Sequence, residues 1–304
     1  MHFRHPAVTT IGAIALAASL LASGTGGVAA EGLDRDDHFT FQKIADPADV
    51  TFTQLLGIND HHLIAGYHTN TPGNKGFTLS LPGNFTDENF PQSAQTQVVG
   101  INNGNATVGF YIDQQGTNHG FQKREGADAV TVDLPGTTFN QLLGINNKGQ
   151  AAGYYQDAAG NQHGYVHEDD GSFLVLNVPS TSDQATGIND QGDIVGFMQT
   201  SPTATTADGF VLHDGHLKKI DFPKSTFTQA LGINNHGDIV GDYTDANGTM
   251  HGFEYRDGSY LSIDVPGASS TTVNGINDDG TIVGFFQDPN QNNNTIGLVG
   301  QPRS

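Results

Sequence analysis

The stretch Gln229-Ala-Leu-Gly-Ile-Asn-Asn-His-Gly-Asp-Ile-Val-Gly-Asp-Tyr-Thr-Asp-Ala-Asn-Gly-Thr-Met-His-Gly-Phe-Glu-Tyr-Arg-Asp-Gly-Ser-Tyr-Leu-Ser-Ile-Asp-Val-Pro266 contains four short runs rich in β-branched and aromatic residues. Asn-His-Gly, Ala-Asn-Gly and Asp-Gly stand between them and supply the positive φ that tight hairpins need. The stretch therefore predicts a four-stranded antiparallel meander. Its Gly-Ile-Asn recurs at Gly57, Gly100, Gly144, Gly187, Gly232 and Gly275, every 43 to 45 residues. A single meander of this size cannot bury both faces, so six copies must stack on one another.

The two ends of the array decide how they stack. The last copy runs through Gly275-Ile-Asn277 and Ile282-Val-Gly284 to Thr295-Ile-Gly-Leu-Val299, three strands without a fourth. Ahead of the first copy, Phe39-Thr-Phe-Gln-Lys-Ile-Ala-Asp-Pro47 matches the fourth strand of the others, such as Tyr260 to Pro266. The expected fold is all-β: a six-bladed β-propeller of four-stranded antiparallel blades, closed by the N-terminal strand completing the last blade. Closure of that kind removes two exposed sheet edges at once.

These units resemble a bacterial extracellular repeat family with a His-Ala-Phe type signature, written here as His119-Gly-Phe, His163-Gly-Tyr and His251-Gly-Phe. The resemblance rests on Gly-Ile-Asn, Ile-Val-Gly, His-Gly-Phe and Ile-Asp-x-Pro within one unit and covers residues 38–304. The His position departs from the signature at Lys75, Asp208 and Ile296. The resemblance implies an exported propeller and no particular reaction.

Export is also legible at the N-terminus. Arg4, an apolar run from Ile11 to Ala22 and the small residues Val28-Ala-Ala30 form the pattern of a secretory signal peptide, expected over residues 1–30. The apolar run is short of the roughly 20 residues that a membrane span needs. A single propeller domain is then expected over 31–304, secreted to the periplasm or the exterior with no membrane anchor, and acting as a monomer.

The 304-residue chain carries 12 Lys and Arg against 32 Asp and Glu, and no Cys. Phosphate backbones need clustered cations, so nucleic acid is excluded as a partner. The missing Cys excludes disulfides, thiolate nucleophiles and Cys–zinc sites. No cofactor is expected. The loops Asp157-Ala-Ala-Gly160 and Asp245-Ala-Asn-Gly248 leave calcium as the alternative, although a full calcium loop needs six or more oxygens.

Candidate site residues fall into two repeated sets. Gln54, Gln97, Gln141, Gln184 and Gln229, with Thr272 in the sixth blade, lie three residues before each Gly and predict a ring of amides toward the channel mouth. The alternative is that each amide satisfies polar groups of the adjoining blade. The pairs Asp113 and His119, Asp157 and His163, and Asp245 and His251 keep one spacing across the second hairpin. A carboxylate beside an imidazole is general-base geometry, but threefold recurrence far from the axis reads as hairpin clamping or as shallow sites repeated per blade. The Asn of each Gly-Ile-Asn reads as a turn residue and the Gly as room for close backbone approach.

Blade one departs most, with His61-His62 in the first turn, His68 at a position elsewhere aromatic or Met, and an apparent insertion from Gly83 to Gln92; Asp242 replaces an aromatic in blade five. Near-uniform blades favour a secreted, non-catalytic propeller that binds a polar ligand, carbohydrate or protein partner through its loop face. The alternative is a polysaccharide lyase or glycoside hydrolase with its site at the channel mouth, a possibility carried by fold analogy alone.

Overall fold

A computed structural model describes residues 38–70 and 73–303; the expected signal peptide lies outside the described residues. Within them the chain forms six four-stranded sheets, each a meander in chain order except the last. Blade one is Thr53–Ile58, Leu63–Asn70, Gly73–Ser80 and Asn84–Asp87. Blade two is Gln95–Ile101, Thr107–Ile112, Asn118–Lys123 and Val130–Val132. Blade three is Asn140–Ile145, Ala151–Gln156, Gln162–His167 and Phe173–Val175. Blade four is Ser182–Ile188, Ile194–Gln199, Asp208–His213 and His216–Ile220. Blade five is Phe227–Ile233, Ile239–Thr244, Met250–Arg256 and Ser259–Ile263.

Blade six takes Ser270–Ile276, Ile282–Asp288 and Asn294–Pro302 from the C-terminal end and Phe39–Ile44 as its outer strand. The N-terminal strand pairs antiparallel from Phe39 opposite Pro302 to Ile44 opposite Gly297, so the expected closure is present. Phe39 and Phe41 are buried in a cluster with Val273, Ile282, Phe286, Ile296 and Leu298, which fastens the first strand to the last blade through apolar contact as well as the ladder.

The innermost strand of each blade carries a β-bulge at the same place, between Leu55 and Gly57 in blade one and at its equivalents in the other five. A bulge inserts one residue and re-aims its side chain. Here it turns Leu56, Val99, Leu143, Thr186, Leu231 and Asn274 toward the axis, with Ile58 and its five equivalents below them. The glycine of Ile-Val-Gly sits opposite the bulge because a Cβ on Gly109 would lie 2.0 Å from the Gln97 carbonyl oxygen.

The glycines of Gly-Ile-Asn meet one another around the axis. A Cβ on Gly144 would stand 2.8 Å from the Gly187 Cα and 2.9 Å from the Thr186 carbonyl; one on Gly275 would stand 2.8 Å from the Leu56 carbonyl, which closes the circle. The sequence expectation of close backbone approach holds in all six blades.

One expectation is corrected. Gly83 to Gln92 is no insertion: Asn84–Asp87 is the fourth strand of blade one, paired with Phe77–Ser80. It lacks the Ile-Asp-x-Pro ending, with Asn89-Phe90-Pro91 in its place, and so does not align with its counterparts.

Gly144→Ala forces a methyl against backbone that has no rotamer to yield, and should destabilise by about 2 kcal/mol, within the roughly 1–3 kcal/mol of overpacked sites. Gly83→Ala, where a Cβ meets nothing within 4 Å, should leave the thermal midpoint unchanged. Differential scanning calorimetry of the two variants checks both.

Candidate functional site

Around the axis the polar side chains form closed rings. The Asn of each Gly-Ile-Asn accepts on Oδ1 from backbone N–H groups of its own turn; Asn189 takes those of Gln191 at 3.1 Å and Asp193 at 2.9 Å. This is the turn role expected from the sequence. The other half of the amide does something the sequence did not signal. Asn59 Nδ2 donates to the Asn102 carbonyl at 2.9 Å, Asn102 to Asn146, Asn146 to Asn189, Asn189 to Asn234, Asn234 to Asn277, and Asn277 back to Asn59 at 3.4 Å.

A second ring lies one residue on. The backbone N–H of Asp60 donates to Asn103, Asn103 to Asn147, Asn147 to Asp190, Asp190 to Asn235, Asn235 to Asp278 and Asp278 to Asp60, at 2.7 to 2.9 Å. Three amides also donate to the neighbouring carboxylates, among them Asn147 to Asp190 at 2.8 Å. The acidic groups at this mouth are thus held by the ring itself. The axial cavities measure about 60 and 100 Å³, below the roughly 300 Å³ at which small-molecule sites begin.

The glutamines are absent from the residues lining these two axial cavities, and two of them reach into the preceding blade. Gln184 Nε2 donates to Gln162 of the preceding blade at 2.8 Å, and Gln141 Nε2 to Asn118 at 3.4 Å. Gln141 also accepts the Tyr154 hydroxyl at 2.9 Å. Gln54, Gln97, Gln184 and Gln229 are buried; the Oε1 atoms of Gln54, Gln184 and Gln229 have no partner within the protein. Side-chain contact with the adjoining blade is the behaviour weighed as the alternative.

Directly across the ladder from Gln229 is Asp242, fully buried, with the Thr272 hydroxyl of blade six as the side chain that eases its charge. Desolvation pushes its carboxyl up to about 7. Tyr67, Phe110, Tyr154, Phe197 and Phe285 hold this place in the other blades.

The three Asp–His pairs come together as predicted, on one hairpin each: His119 Nε2 to Asp113 at 3.4 Å, His163 to Asp157 at 3.2 Å, and His251 to Asp245 at 3.7 Å. Each Asp also caps its hairpin; Asp157 Oδ1 accepts backbone N–H from Ala159 and Asn161. The Asn161 side chain and these bonds hold the Asp157 carboxyl down at about 2. In two blades the imidazole has a second carboxylate on Nδ1, Asp133 at 2.6 Å from His119 and Asp264 at 2.8 Å from His251. The signal for that partner was the Asp of Ile-Asp-x-Pro.

The same two histidines end a stack of three rings. Phe90 lies on Tyr111 at 3.8 Å and Tyr111 on His119 at 5.0 Å; Phe222 lies on Tyr243 at 3.6 Å and Tyr243 on His251 at 5.1 Å. The Phe comes from the connection entering the blade, while Tyr and His face each other on the second and third strands. Blade one fills the corresponding space with a buried hydrogen-bonded pair, His68 Nδ1 and Asp46 at 2.8 Å, and His68 stacks on Phe77. His61 and His62 lie in the first turn, where His62 pairs with Asp279 of blade six at 3.1 Å on the exposed surface.

Blade four departs from this pattern. Met198 and Asp208 hold the Tyr and His places and Val178 the place of the Phe. A groove of about 590 Å³ opens beside them, between the Val178–Thr181 connection and the Thr200–Thr206 hairpin. Its floor is Val178 and Met198, packed with Phe210. At its rim the Lys219 ammonium bonds Asp208, which pushes the lysine pKa up.

No family model matches the chain, and no curated protein matches it. Several solved structures do. A protein named as TolB from Agrobacterium tumefaciens has a TM-score of 0.61 at 9% identity, covering 84% of this chain and 91% of that one. A protein named as a gluconolactonase has 0.54 at 12%, covering 90% and 96%. Streptogramin B lyase has 0.50 at 10%, covering 88% and 98%. At such identities the likeness establishes the propeller fold.

The unfolded Asp242 carboxyl titrates near 4, and the folded one near 7. The folded chain therefore holds this proton more tightly, so Asp242 lowers stability as pH rises from about 4 to about 7, with no further loss above. Asp242→Asn should raise the thermal midpoint over the parent by several degrees at pH 8 and by little at pH 4; equal gains at both would contradict the assignment.

Proposed function

We propose that the protein is an exported, non-catalytic β-propeller that binds a ligand through its loop face, at the groove of blade four beside the connection that enters it. The observation that carries this reading is the groove itself. Its volume of about 590 Å³ falls within the roughly 300–1,000 Å³ of small-molecule sites. It is lined by residues that depart from the repeat, as a single site on a ring of similar units must be. The export half of the reading rests on Arg4, the apolar run to Ala22 and Val28-Ala-Ala30, and on the His-Gly-Phe units that resemble an exported repeat family.

Binding is favoured over hydrolysis or elimination by the ionisable groups present. Asp208 and Lys219 are the ones that line the groove, and each is bonded to the other. Two carboxylates flanking a bound sugar, or a base beside a nucleophile, would be needed for the catalytic alternative. The clamped Asp–His pairs of blades two, three and five sit on separate hairpins and converge on no common point.

A thermal-shift panel of oligosaccharides, polysaccharides and divalent cations, with product formation followed in the same wells, tests this reading. The expected result is a stabilising ligand that turns over nothing and whose effect is lost in Thr206→Trp, where an exposed side chain is enlarged across the groove. New reducing ends or unsaturated products would overturn it.

A further inference from the structure

The repeat supplies a template for what the groove lacks. In blades two and five this part of the blade is filled by the protein's own rings, Phe90–Tyr111–His119 and Phe222–Tyr243–His251. Blade three keeps Tyr155 and His163, blade six has Phe286 and blade one has His68. Only blade four places no ring at any of the three positions, with Val178, Met198 and Asp208 there. Three rings are replaced by thinner or more flexible side chains, and the groove opens at that point.

We infer that this groove takes a small planar aromatic ring carrying a cationic group, which completes in blade four the stack that blades two and five build from their own side chains. The inference rests on the reading of the groove as the binding site. Three features support it. The floor is apolar and includes a methionine, whose thioether adapts to and attracts aromatic rings. One carboxylate lines the slot, Asp208 at the rim, bonded to Lys219; a second, Asp221, lies outside the lining but close enough that the charge of Asp208, after desolvation, pushes its carboxyl up, so two carboxylates stand here against one ammonium. Asp221 is the counterpart of Asp133 and Asp264, the residues that meet the imidazoles of the two complete stacks. A cation at the ring's edge would reach Asp208, which holds the place of those imidazoles, in competition with Lys219.

The longer hairpin of blade four gives the groove its second wall. Thr200–Thr206 replaces the Asp-capped turn of blades two, three and five, and Gln199 Nε2 holds it by donating to the Ala204 carbonyl at 2.9 Å.

The test uses methionine methyl groups as reporters. Met198 lines the groove, whereas Met250 lies in blade five, where its sulfur accepts the Thr272 hydroxyl at 3.4 Å. The full chain, labelled with carbon-13 at its methionine methyls, is titrated with tyramine, with 2-cyclohexylethylamine, which keeps the cation and loses the flat ring, and with 4-hydroxyphenylacetate, which reverses the charge. Tyramine should move the Met198 methyl upfield saturably and leave Met250 in place. The other two should bind several-fold more weakly, one for want of the flat ring and the other because its charge opposes Asp208.

The triple variant Val178→Phe, Met198→Tyr, Asp208→His rebuilds the stack and should melt no lower than the parent while losing the tyramine-dependent thermal shift. Should that variant fold poorly, Asp208→Asn alone should weaken tyramine several-fold while Met198 keeps its free-state shift. Equal responses to tyramine and 2-cyclohexylethylamine, or a Met198 methyl that no aromatic amine moves, would overturn the inference. If cellobiose moves Met198 and tyramine does not, the groove still binds and only the aromatic assignment falls; if neither moves it and no ligand of the thermal panel binds, the functional reading falls with it.

Discussion

Six backbones meet at one axis within van der Waals distance, and the remainder of the propeller is arranged to permit that approach. The glycine of each Gly-Ile-Asn faces the next blade's glycine, and in five of the six a Cβ would come within 3.0 Å of a neighbouring atom, Gly187 being slightly looser at 3.1 Å. Convergence at this radius brings the first turn of every blade within hydrogen-bond reach of its neighbour. The Asn ring and the Asp/Asn ring follow from that distance; their twelve side-chain to backbone bonds join each blade to the next. At about 1 kcal/mol for a typical bond, no single one matters as much as their closure into circles, which makes each blade's position depend on all the others.

Ring closure gives the outer parts of the blades different freedom. Strands near the axis must repeat, and they do, down to a bulge at the same residue in all six. The second hairpin and the blade-to-blade connection carry no such constraint. They are where the stacks of blades two and five, the buried His68–Asp46 pair of blade one and the open groove of blade four differ. A ring whose hub is fixed and whose loop face varies can change its binding chemistry without touching its closure.

Much of this was legible in the sequence because the repeat exposed it. Gly-Ile-Asn, the turn signals and the unmatched strand Phe39–Ile44 fixed blade number, strand order and closure. The Asn turns were legible as turns, since Asx geometry is local; their second bond was not, because it depends on the ring's radius. The glutamines illustrate the same limit. Spacing placed them correctly along the first strand, but the bulge that follows decides which residues face the axis, and it turns Leu56 and its equivalents inward. The fourth strand of blade one was hidden by the loss of its Ile-Asp-x-Pro ending. The groove left a faint trace: Asp208 stood out as a departure from the His position, but Met198 and Val178 did not, and the space they leave together exists only when three separate segments meet.

The central claim is that closure through the first strand makes one cooperative ring. Native-state hydrogen exchange read by mass spectrometry tests it most directly. The account predicts that amides of Phe39–Ile44 and of its partner Asn294–Pro302 open with the same free energy as the inner strands of blades three and four, since breaking the ring anywhere releases it everywhere. Exchange from Phe39–Ile44 that is orders of magnitude faster, with blades three and four still protected, would contradict it and describe an open stack with a frayed end.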